Sequence, residues 1–190
     1  MEPIEIDART AALVLIDLQQ GLAARTTEPY AVDQVVATCA GLAARFRQAG
    51  APVVYVRVDL ADMLTLNVDA PWRDPGAPPA PASASELMPE AGRQASDLLV
   101  TKRHWSAFAG TALESELRSR GVRTMAIGGV ATNFGVESTA RDAAGLGFDV
   151  VFVEDAMTSV SARAHQFALE LIFPRIGRVR QAGDVVFRRG

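Results

Sequence analysis

The chain has 190 residues, of which 49% are hydrophobic, 22% are charged and 6% are aromatic, a composition typical of a folded globular protein rather than a disordered or fibrous one. Its net charge of -3 comes from 19 basic and 22 acidic residues, so we expect no nucleic-acid partner, because nucleic-acid binding needs a broad positive field.

Short apolar runs rich in β-branched residues alternate with helical patterns. In chain order, the pattern predicts a strand at 11–17, a helix at 32–49, a strand at 53–58, a long surface loop with one short helix near its end at 69–92, a strand at 97–101, a helix at 111–120, a strand at 123–128, a helix at 134–146, a strand at 149–153, a helix at 161–172 and strands at 178–180 and 185–187.

Apolar strands separated by helices indicate a parallel sheet that is covered on both faces. With right-handed crossovers, this pattern predicts a three-layer α/β/α sandwich around a doubly wound, mainly parallel six-stranded sheet. No repeat or interdomain linker divides the sequence, so residues 1–190 are predicted to form one domain.

Three features bear on the cellular compartment. No apolar run reaches the roughly 18 to 20 residues that cross a bilayer, and the acidic start lacks the basic and hydrophobic regions of a signal peptide. Cys39 is the single cysteine, so no internal disulfide can form. We therefore expect a cytoplasmic protein without a membrane partner.

Ligands of open parallel sheets bind beyond the carboxyl ends of the strands. The polar residues predicted at those ends are Asp17, Arg57, Asp59, Lys102, the turn at 129–135 and Asp155. Lys102 is the only lysine in a chain with 18 arginines, and a lysine pKa can be moved by its surroundings. On one rim, Asp17 and Lys102 would form a tuned acid–base pair; the alternative is a turn-capping Asp17 and a surface Lys102.

Other chemistries have little support in the sequence. The turn at 128–135 contains no G-x-G-x-x-G and no Walker pattern, so we expect no nucleotide cofactor. His104 and His165 are the only histidines and form no metal-binding motif, so no metal is expected. His165 is interpreted as structural, whereas His104 either lines the pocket or lies on the surface. Cys39 falls on the apolar face of the helix at 32–49 and is interpreted as core.

Four motifs in this order resemble the isochorismatase-like hydrolase superfamily, over about residues 8 to 180. They are residues 13–19, Lys102 followed by residues 106–108, residues 129–143 and residues 153–156. Most members of that superfamily are cysteine hydrolases with an Asp–Lys–Cys triad. Asp17 and Lys102 match the first two positions, but Gly135 stands at the position of the nucleophile. The superfamily's metal-binding histidines after the second strand are also absent: residues 57–60 of this chain contain no histidine.

A site without cysteine is similar to that of isochorismatases proper. By this resemblance, Asp17 would protonate the carbon of a vinyl ether, Lys102 would hold the carboxylate of the substrate, and Gly135 would leave room for it. The resemblance also implies a cis peptide between Val130 and Ala131 that directs backbone N–H groups into the site. Further residues expected near the pocket are Gln19, Arg57, Arg73, Arg103, Asn133 and Phe134.

The resemblance implies a hydrolase that acts on a small, anionic molecule and assembles as a homo-oligomer, a dimer or a tetramer. Two alternatives remain open at the level of sequence. One is the hydrolysis of an amide or ester by water activated at Asp17. The other is a catalytically silent relative that binds a ligand or a partner protein.

Overall fold

A computed structural model describes residues 2–23, 25–72, 74 and 76–188. Arg73, one of the arginines expected near the pocket, lies outside the described residues. The strands are β1 (Ile4–Ile6), β2 (Ala11–Ile16), β3 (Val53–Val58), β4 (Leu98–Lys102), β5 (Thr124–Val130), β6 (Asp149–Thr158), β7 (Arg178–Arg180) and β8 (Val185–Phe187). The α-helices are α1 (Val32–Gln48), α2 (Leu113–Ser119), α3 (Glu137–Gly145), α4 (Ala162–Phe167) and α5 (Phe173–Ile176).

Six of the strands form one parallel sheet in the order β4-β3-β2-β5-β6-β7. The strand order reverses beside β2, which is the central feature of a doubly wound fold. Helix α1 packs on one face of this sheet, and α2, α3 and α5 contribute to the core on the other face. The predicted three-layer α/β/α sandwich is confirmed.

The central strand β2 explains why two cores form. All six of its side chains are buried, and they alternate between the two sides of the sheet because successive residues of a strand point to opposite faces. Leu13 and Leu15 join the core under α1, whereas Val14 and Ile16 join the core under the other helices.

Two glycines in β5 allow its neighbours to approach closely. A Cβ on Gly128 would lie 2.7 Å from the Ala156 carbonyl oxygen, and one on Gly129, which has a φ of +125°, would lie 2.1 Å from the Ile16 oxygen. Only glycine fits these positions. The end of β5 is thereby held beside the end of β2, where Asp17 follows.

The predicted elements differ from the structure in several places. The strand β1 was missed, and it pairs with β8 in a separate two-stranded sheet. The surface loop carries two short 3₁₀ turns, Ala82–Ser85 and Pro89–Ala91. The strand predicted at 149–153 continues to Thr158, and its pairing with β5 shifts register between Ile127 and Gly129. The helix predicted at 134–146 starts with a π-helical turn, Thr132–Val136, and the one predicted at 161–172 reaches Ile176 through the π-helical turn Ala168–Ile172.

The described part of the chain contains no helix with the length and the hydropathy that a membrane span requires. It also contains no group of three or more His, Cys, Asp or Glu side chains that could hold a metal ion.

Candidate active site

Asp17 lies directly after β2, at the carboxyl edge of the sheet. Its backbone has a φ of +52°, in the left-handed region that non-glycine residues seldom adopt. Its N–H donates to the Val56 oxygen at 2.9 Å and its carbonyl accepts from the Gln19 N–H at 2.8 Å. These two bonds fix the turn, so the carboxyl group is held at one position at the strand end.

Lys102 is the last residue of β4, two strands away from β2 in the sheet. Its Nζ donates to Asp17 Oδ2 at 2.7 Å and to the Trp105 carbonyl oxygen at 2.9 Å. Only 1% of Lys102 is exposed, and 9% of Asp17. The parallel topology therefore brings together two charged side chains that are 85 residues apart in the sequence.

The two carboxyl oxygens of Asp17 have different surroundings. Oδ2 is bound by Lys102, whereas Oδ1 is buried and accepts no hydrogen bond from any residue that the structure describes. Burial raises the pKa of Asp17, and the Lys102 ammonium lowers it by a smaller amount. The net direction is upward because burial penalises the ionised form. Asp17 therefore keeps its proton to a higher pH than an ordinary aspartate does.

Gly135 lies against this pair. A Cβ at Gly135 would be 2.9 Å from Ile16 Cγ2, 3.1 Å from Asp17 Oδ2 and 3.2 Å from Lys102 Nζ. The Ile16 methyl group and the ion pair thus occupy the space into which a side chain at position 135 would begin to extend. A larger residue needs its neighbours to move.

The turn between β5 and α3 forms another wall of the site. The peptide bond between Val130 and Ala131 is cis, and both residues line the cavity beside Asp17. The Ala131 carbonyl accepts hydrogen bonds from the N–H groups of Phe134 and Val136, at 3.1 and 3.2 Å. These bonds close the π-helical turn that carries Gly135 to the ion pair.

A buried polar cluster supports this turn from behind. His165, 1% exposed, places Nδ1 at 2.8 Å from Thr132 Oγ1 and Nε2 at 3.7 Å from Glu154 Oε1. Glu154 also accepts a hydrogen bond from the Tyr30 hydroxyl at 2.8 Å. His165 first, and then Tyr30, lower the pKa of Glu154 by favouring its ionised form. The interpretation of His165 as structural agrees with this position.

Asp17 and Lys102 line a cavity of about 260 Å³ that is bounded mainly by apolar side chains. The Trp105 and Phe134 rings stack with their centroids 5.0 Å apart, and Trp72 meets Trp105 edge-on at 6.5 Å. Polar groups are few, as in most small-molecule sites; besides the pair they come from Gln19, Arg25, Thr27 and His104. The cavity is suited to a small molecule with an apolar, flat body.

Several residues expected at the site are found there. Gln19, Phe134 and His104 line the cavity together with Asp17, Lys102, Val130, Ala131 and Gly135. The amide of Gln19 is engaged, because its Nε2 donates to the Val58 oxygen at 2.9 Å and its Oε1 accepts from the Val58 N–H at 2.8 Å. Gln19 therefore shapes the wall and fixes the end of β3.

Other residues are placed elsewhere. Arg57 bonds to Glu86 and Thr101, and Arg103 bonds to Asp62; neither lines the cavity. Asn133 Oδ1 accepts from the Ser159 hydroxyl instead of facing the cavity. Asp155 is inside β6, not after it, and its carboxylate accepts from the Ala182 N–H at 2.7 Å. The expectation failed for Arg57 because its guanidinium is bound by Glu86 Oε1 at 2.9 Å, which neutralises it away from the cavity lining.

The prediction missed Arg25, Trp72 and Trp105, all of which line the cavity. These residues belong to connecting segments, where sequence pattern does not fix position. One signal was nevertheless available: the chain has only two tryptophans, and both lie in segments that follow strands at the carboxyl edge of the sheet. Large aromatic residues in such loops often contact ligands.

Cys39 does not line the cavity, and it is buried in the core on the inner face of α1. Its Sγ donates to the Ala156 oxygen at 3.4 Å, and burial raises the pKa of its thiol. A buried, protonated thiol is a poor nucleophile. The interpretation of Cys39 as a core residue is confirmed.

Comparisons with known proteins agree with this architecture. Residues 11–184 match the isochorismatase domain family. The isochorismatase family protein YecD of Escherichia coli O157:H7 is 42% identical over 195 residues, which cover 96% of this chain and 98% of that protein. The ureidoacrylate amidohydrolase RutB of Variovorax paradoxus is 30% identical, with 88% of this chain and 76% of that protein covered. The structure of an isochorismatase family protein from Burkholderia thailandensis superposes with a TM-score of 0.90, at 40% identity and 97% coverage of both chains.

Proposed function

The chain belongs to the isochorismatase family and is a hydrolase of that family, and we propose that it hydrolyses a small, anionic molecule by proton transfer from Asp17, without a covalent enzyme intermediate. The observation that carries this proposal is the buried Asp17–Lys102 pair, against which Gly135 lies without a side chain.

Among the residues that the structure describes, Gly135 and not a nucleophilic side chain lies against the pair, and this favours direct hydrolysis. Glycine cannot attack a carbonyl, and a covalent route needs an activated Ser, Thr or Cys within hydrogen-bond reach of its base. Cys39, the only cysteine of the chain, is buried on the inner face of α1 and does not line the cavity. Water must then supply the new oxygen, and the protein must supply the proton transfer and the binding energy.

Vinyl ether hydrolysis fits these parts. Asp17 would transfer its proton to the terminal alkene carbon, which gives an oxocarbenium ion and leaves Asp17 as a carboxylate. Water adds to the cationic carbon and loses a proton to that carboxylate. The resulting hemiketal collapses to a carbonyl compound and an alcohol. The net reaction consumes one water, and Asp17 ends in the protonation state in which it began.

The surroundings of Asp17 suit a proton donor. A general acid must still hold its proton at the working pH, and burial raises the pKa of Asp17 by more than Lys102 lowers it. After proton transfer the Lys102 ammonium, 2.7 Å from Oδ2, stabilises the carboxylate. We propose that Lys102 tunes Asp17 in this way and that the backbone at Val130 and Ala131 contacts the substrate oxygen.

Amide or ester hydrolysis is the second candidate, and the similarity to a ureidoacrylate amidohydrolase favours it. In this reaction an ionised Asp17 would take a proton from water, which would attack the carbonyl carbon. The two candidates need opposite protonation states of the same carboxyl group. The pH dependence of turnover therefore separates them.

The test compares purified wild type, Asp17→Asn and Asp59→Asn on isochorismate, with pyruvate release as the readout, and on ureidoacrylate and simple primary amides, with ammonia release as the readout. Asp59 is the matched control, because it also follows a strand but does not line the cavity. We expect pyruvate release by wild type and Asp59→Asn only. Full activity of Asp17→Asn, or no turnover of any compound by wild type, would contradict the proposal; ammonia without pyruvate would support the second candidate.

We propose that residues 1–190 form one domain with a site for a small-molecule substrate. We further propose that this domain associates into a homo-oligomer, a dimer or a tetramer. Phe167, 53% exposed, and Leu171, 46% exposed, support an apolar contact surface on the segment that follows β6. Light scattering coupled to size exclusion would show a multiple of the 20.2 kDa chain mass. A monomer at all concentrations would exclude the oligomer.

A further inference from the structure

Arg25 lies on the rim of the site cavity, on the segment between β2 and α1. Its guanidinium carbon sits 5.0 Å from the centre of the Trp72 ring. Among the residues that the structure describes, no carboxylate pairs with Arg25. It differs in this from Arg57 and Arg103 nearby, which pair with Glu86 and Asp62.

The Arg25 guanidinium lies over the Trp72 ring, and its N–H groups make no hydrogen bond to any residue that the structure describes. A guanidinium over an aromatic ring interacts through its face, whereas its N–H groups point outward in its plane. Those N–H groups match the two oxygens of a carboxylate. Trp72 thus holds the cation in place without using the groups that would bind an anion.

The aromatic wall of the cavity leads to this cation. Phe134 stacks on Trp105, and Trp105 meets Trp72 edge-on. Trp72 in turn makes a cation–π contact with Arg25. Asp17 and Lys102 line the same cavity. Lys102 is 1% exposed and already donates to Asp17 and to the Trp105 oxygen. It is therefore poorly placed to receive a further negative charge.

We propose that Arg25 is the specificity residue that binds the carboxylate of the substrate, and that the substrate is a small carboxylate whose flat, apolar part lies along Trp105 and Phe134. This proposal rests on the function proposed above for the same cavity, and it moves the carboxylate from Lys102, where the family resemblance implies it, to Arg25. The buried pair is then left to proton transfer.

The test measures binding, not turnover, with benzoate and its neutral counterpart benzamide as probes. Isothermal titration or ligand-observed NMR would be carried out on wild type, Arg25→Gln, Arg25→Lys and the matched control Arg103→Gln, whose arginine is paired with Asp62. We expect wild type and Arg103→Gln to prefer benzoate. Arg25→Gln should lose that preference by about tenfold or more, as the loss of a charge-assisted hydrogen bond predicts. Arg25→Lys keeps the positive charge but not the paired N–H groups of a guanidinium, so it should retain only part of the preference for benzoate.

Two outcomes would overturn the proposal: a benzoate preference that persists in Arg25→Gln, or wild type without any preference. The Asp17→Asn variant separates this proposal from the proposed reaction. If Asp17→Asn retains both turnover and an Arg25-dependent preference, the assigned reaction fails and the carboxylate site stands. If Asp17→Asn is inactive while Arg25→Gln binds benzoate normally, the reaction stands and the carboxylate site fails.

Discussion

Two ion pairs lie near opposite ends of β4, one partly buried and one buried, and they are built differently. Asp97, just before β4, accepts two hydrogen bonds from Arg47, at 2.9 and 2.6 Å, and one from the Gln94 N–H at 2.7 Å. Asp17, beside the end of β4, is bound only through Oδ2 by Lys102, and its Oδ1 has no partner among the described residues. A buried polar group without a partner costs stability.

The difference is the one expected if Asp97 is structural and Asp17 acts in the proposed reaction. Both oxygens of Asp97 are bound in a bidentate contact, which holds α1 to the start of β4. Asp17 keeps one oxygen available at the wall of a cavity, and burial raises its pKa. Incomplete satisfaction next to a cavity is typical of sites where stability has been given up for function.

The largest expected effect that tests this comparison is on turnover. Asp17→Asn removes the transferable proton and should lower kcat by about 10²- to 10⁴-fold, the usual contribution of general acid–base catalysis. Asp97→Asn should leave kcat unchanged. Steady-state kinetics on the substrate that the screen identifies would measure both; equal losses in the two variants would remove the distinction.

In stability the order of the two variants should be reversed, with the larger loss in Asp97→Asn. Asp97→Asn leaves the partly exposed Arg47 guanidinium without its carboxylate and should reduce the free energy of unfolding by about 1–3 kcal/mol. Urea denaturation followed by circular dichroism would measure it. A loss below the experimental error would mean that the Arg47–Asp97 pair is not structural.

A pH series sharpens the stability comparison for Asp17. Because its folded pKa is raised, its contribution to stability is fully present below the ordinary aspartate pKa and is lost as pH rises through the folded value. The free energy of unfolding of wild type should therefore fall relative to that of Asp17→Asn over this window. A difference that does not change with pH would show that Asp17 has an ordinary pKa.

Crowding at Gly135 should have a moderate effect. The Cβ of Gly135→Ala would meet Ile16, Asp17 and Lys102 at 2.9 to 3.2 Å, so the free energy of unfolding should drop by about 1–3 kcal/mol, typical of overpacking. Gly145→Ala is the matched control, because a Cβ there has open space at the end of α3. Chemical denaturation should show the loss only at position 135; a stable Gly135→Ala would indicate spare room beside the pair.

The smallest effect is expected at Arg57, the arginine that the sequence placed near the pocket. Arg57 pairs with the partly exposed Glu86, and such surface pairs contribute about 0–1 kcal/mol. Arg57→Gln should therefore change stability by less than about 1 kcal/mol and leave KM unchanged. A large increase in KM would restore Arg57 to the site.

How much the sequence could predict follows from what fixes each position. Asp17 and Lys102 follow or end apolar strands, and the topology of a parallel sheet puts such residues on one edge. Asp155 was misplaced because β6 continues past the register shift between Phe152 and Met157, which no apolar pattern indicates. Strand β1 was missed because three residues that pair only with β8 carry too short a pattern.

The loop residues that line the cavity were harder to predict than Asp17 and Lys102 at the strand ends. Trp72 and Arg25 meet through loops whose paths depend on tertiary contacts, and Asn133 bonds to Ser159 instead of lining the cavity. Local propensity does not determine such orientations. The residues at the strand ends were thus predictable, whereas the loop residues that line the cavity were not.

The pH dependence of kcat/KM tests most directly whether Asp17 acts as a proton donor. For wild type on a vinyl ether such as isochorismate, the rate should fall as the pH rises through the raised pKa of Asp17, and Asp17→Asn should show no such limb in its residual rate. A wild-type rate that instead falls as the pH drops through that pKa would show that the carboxylate acts as a base and would contradict the assignment.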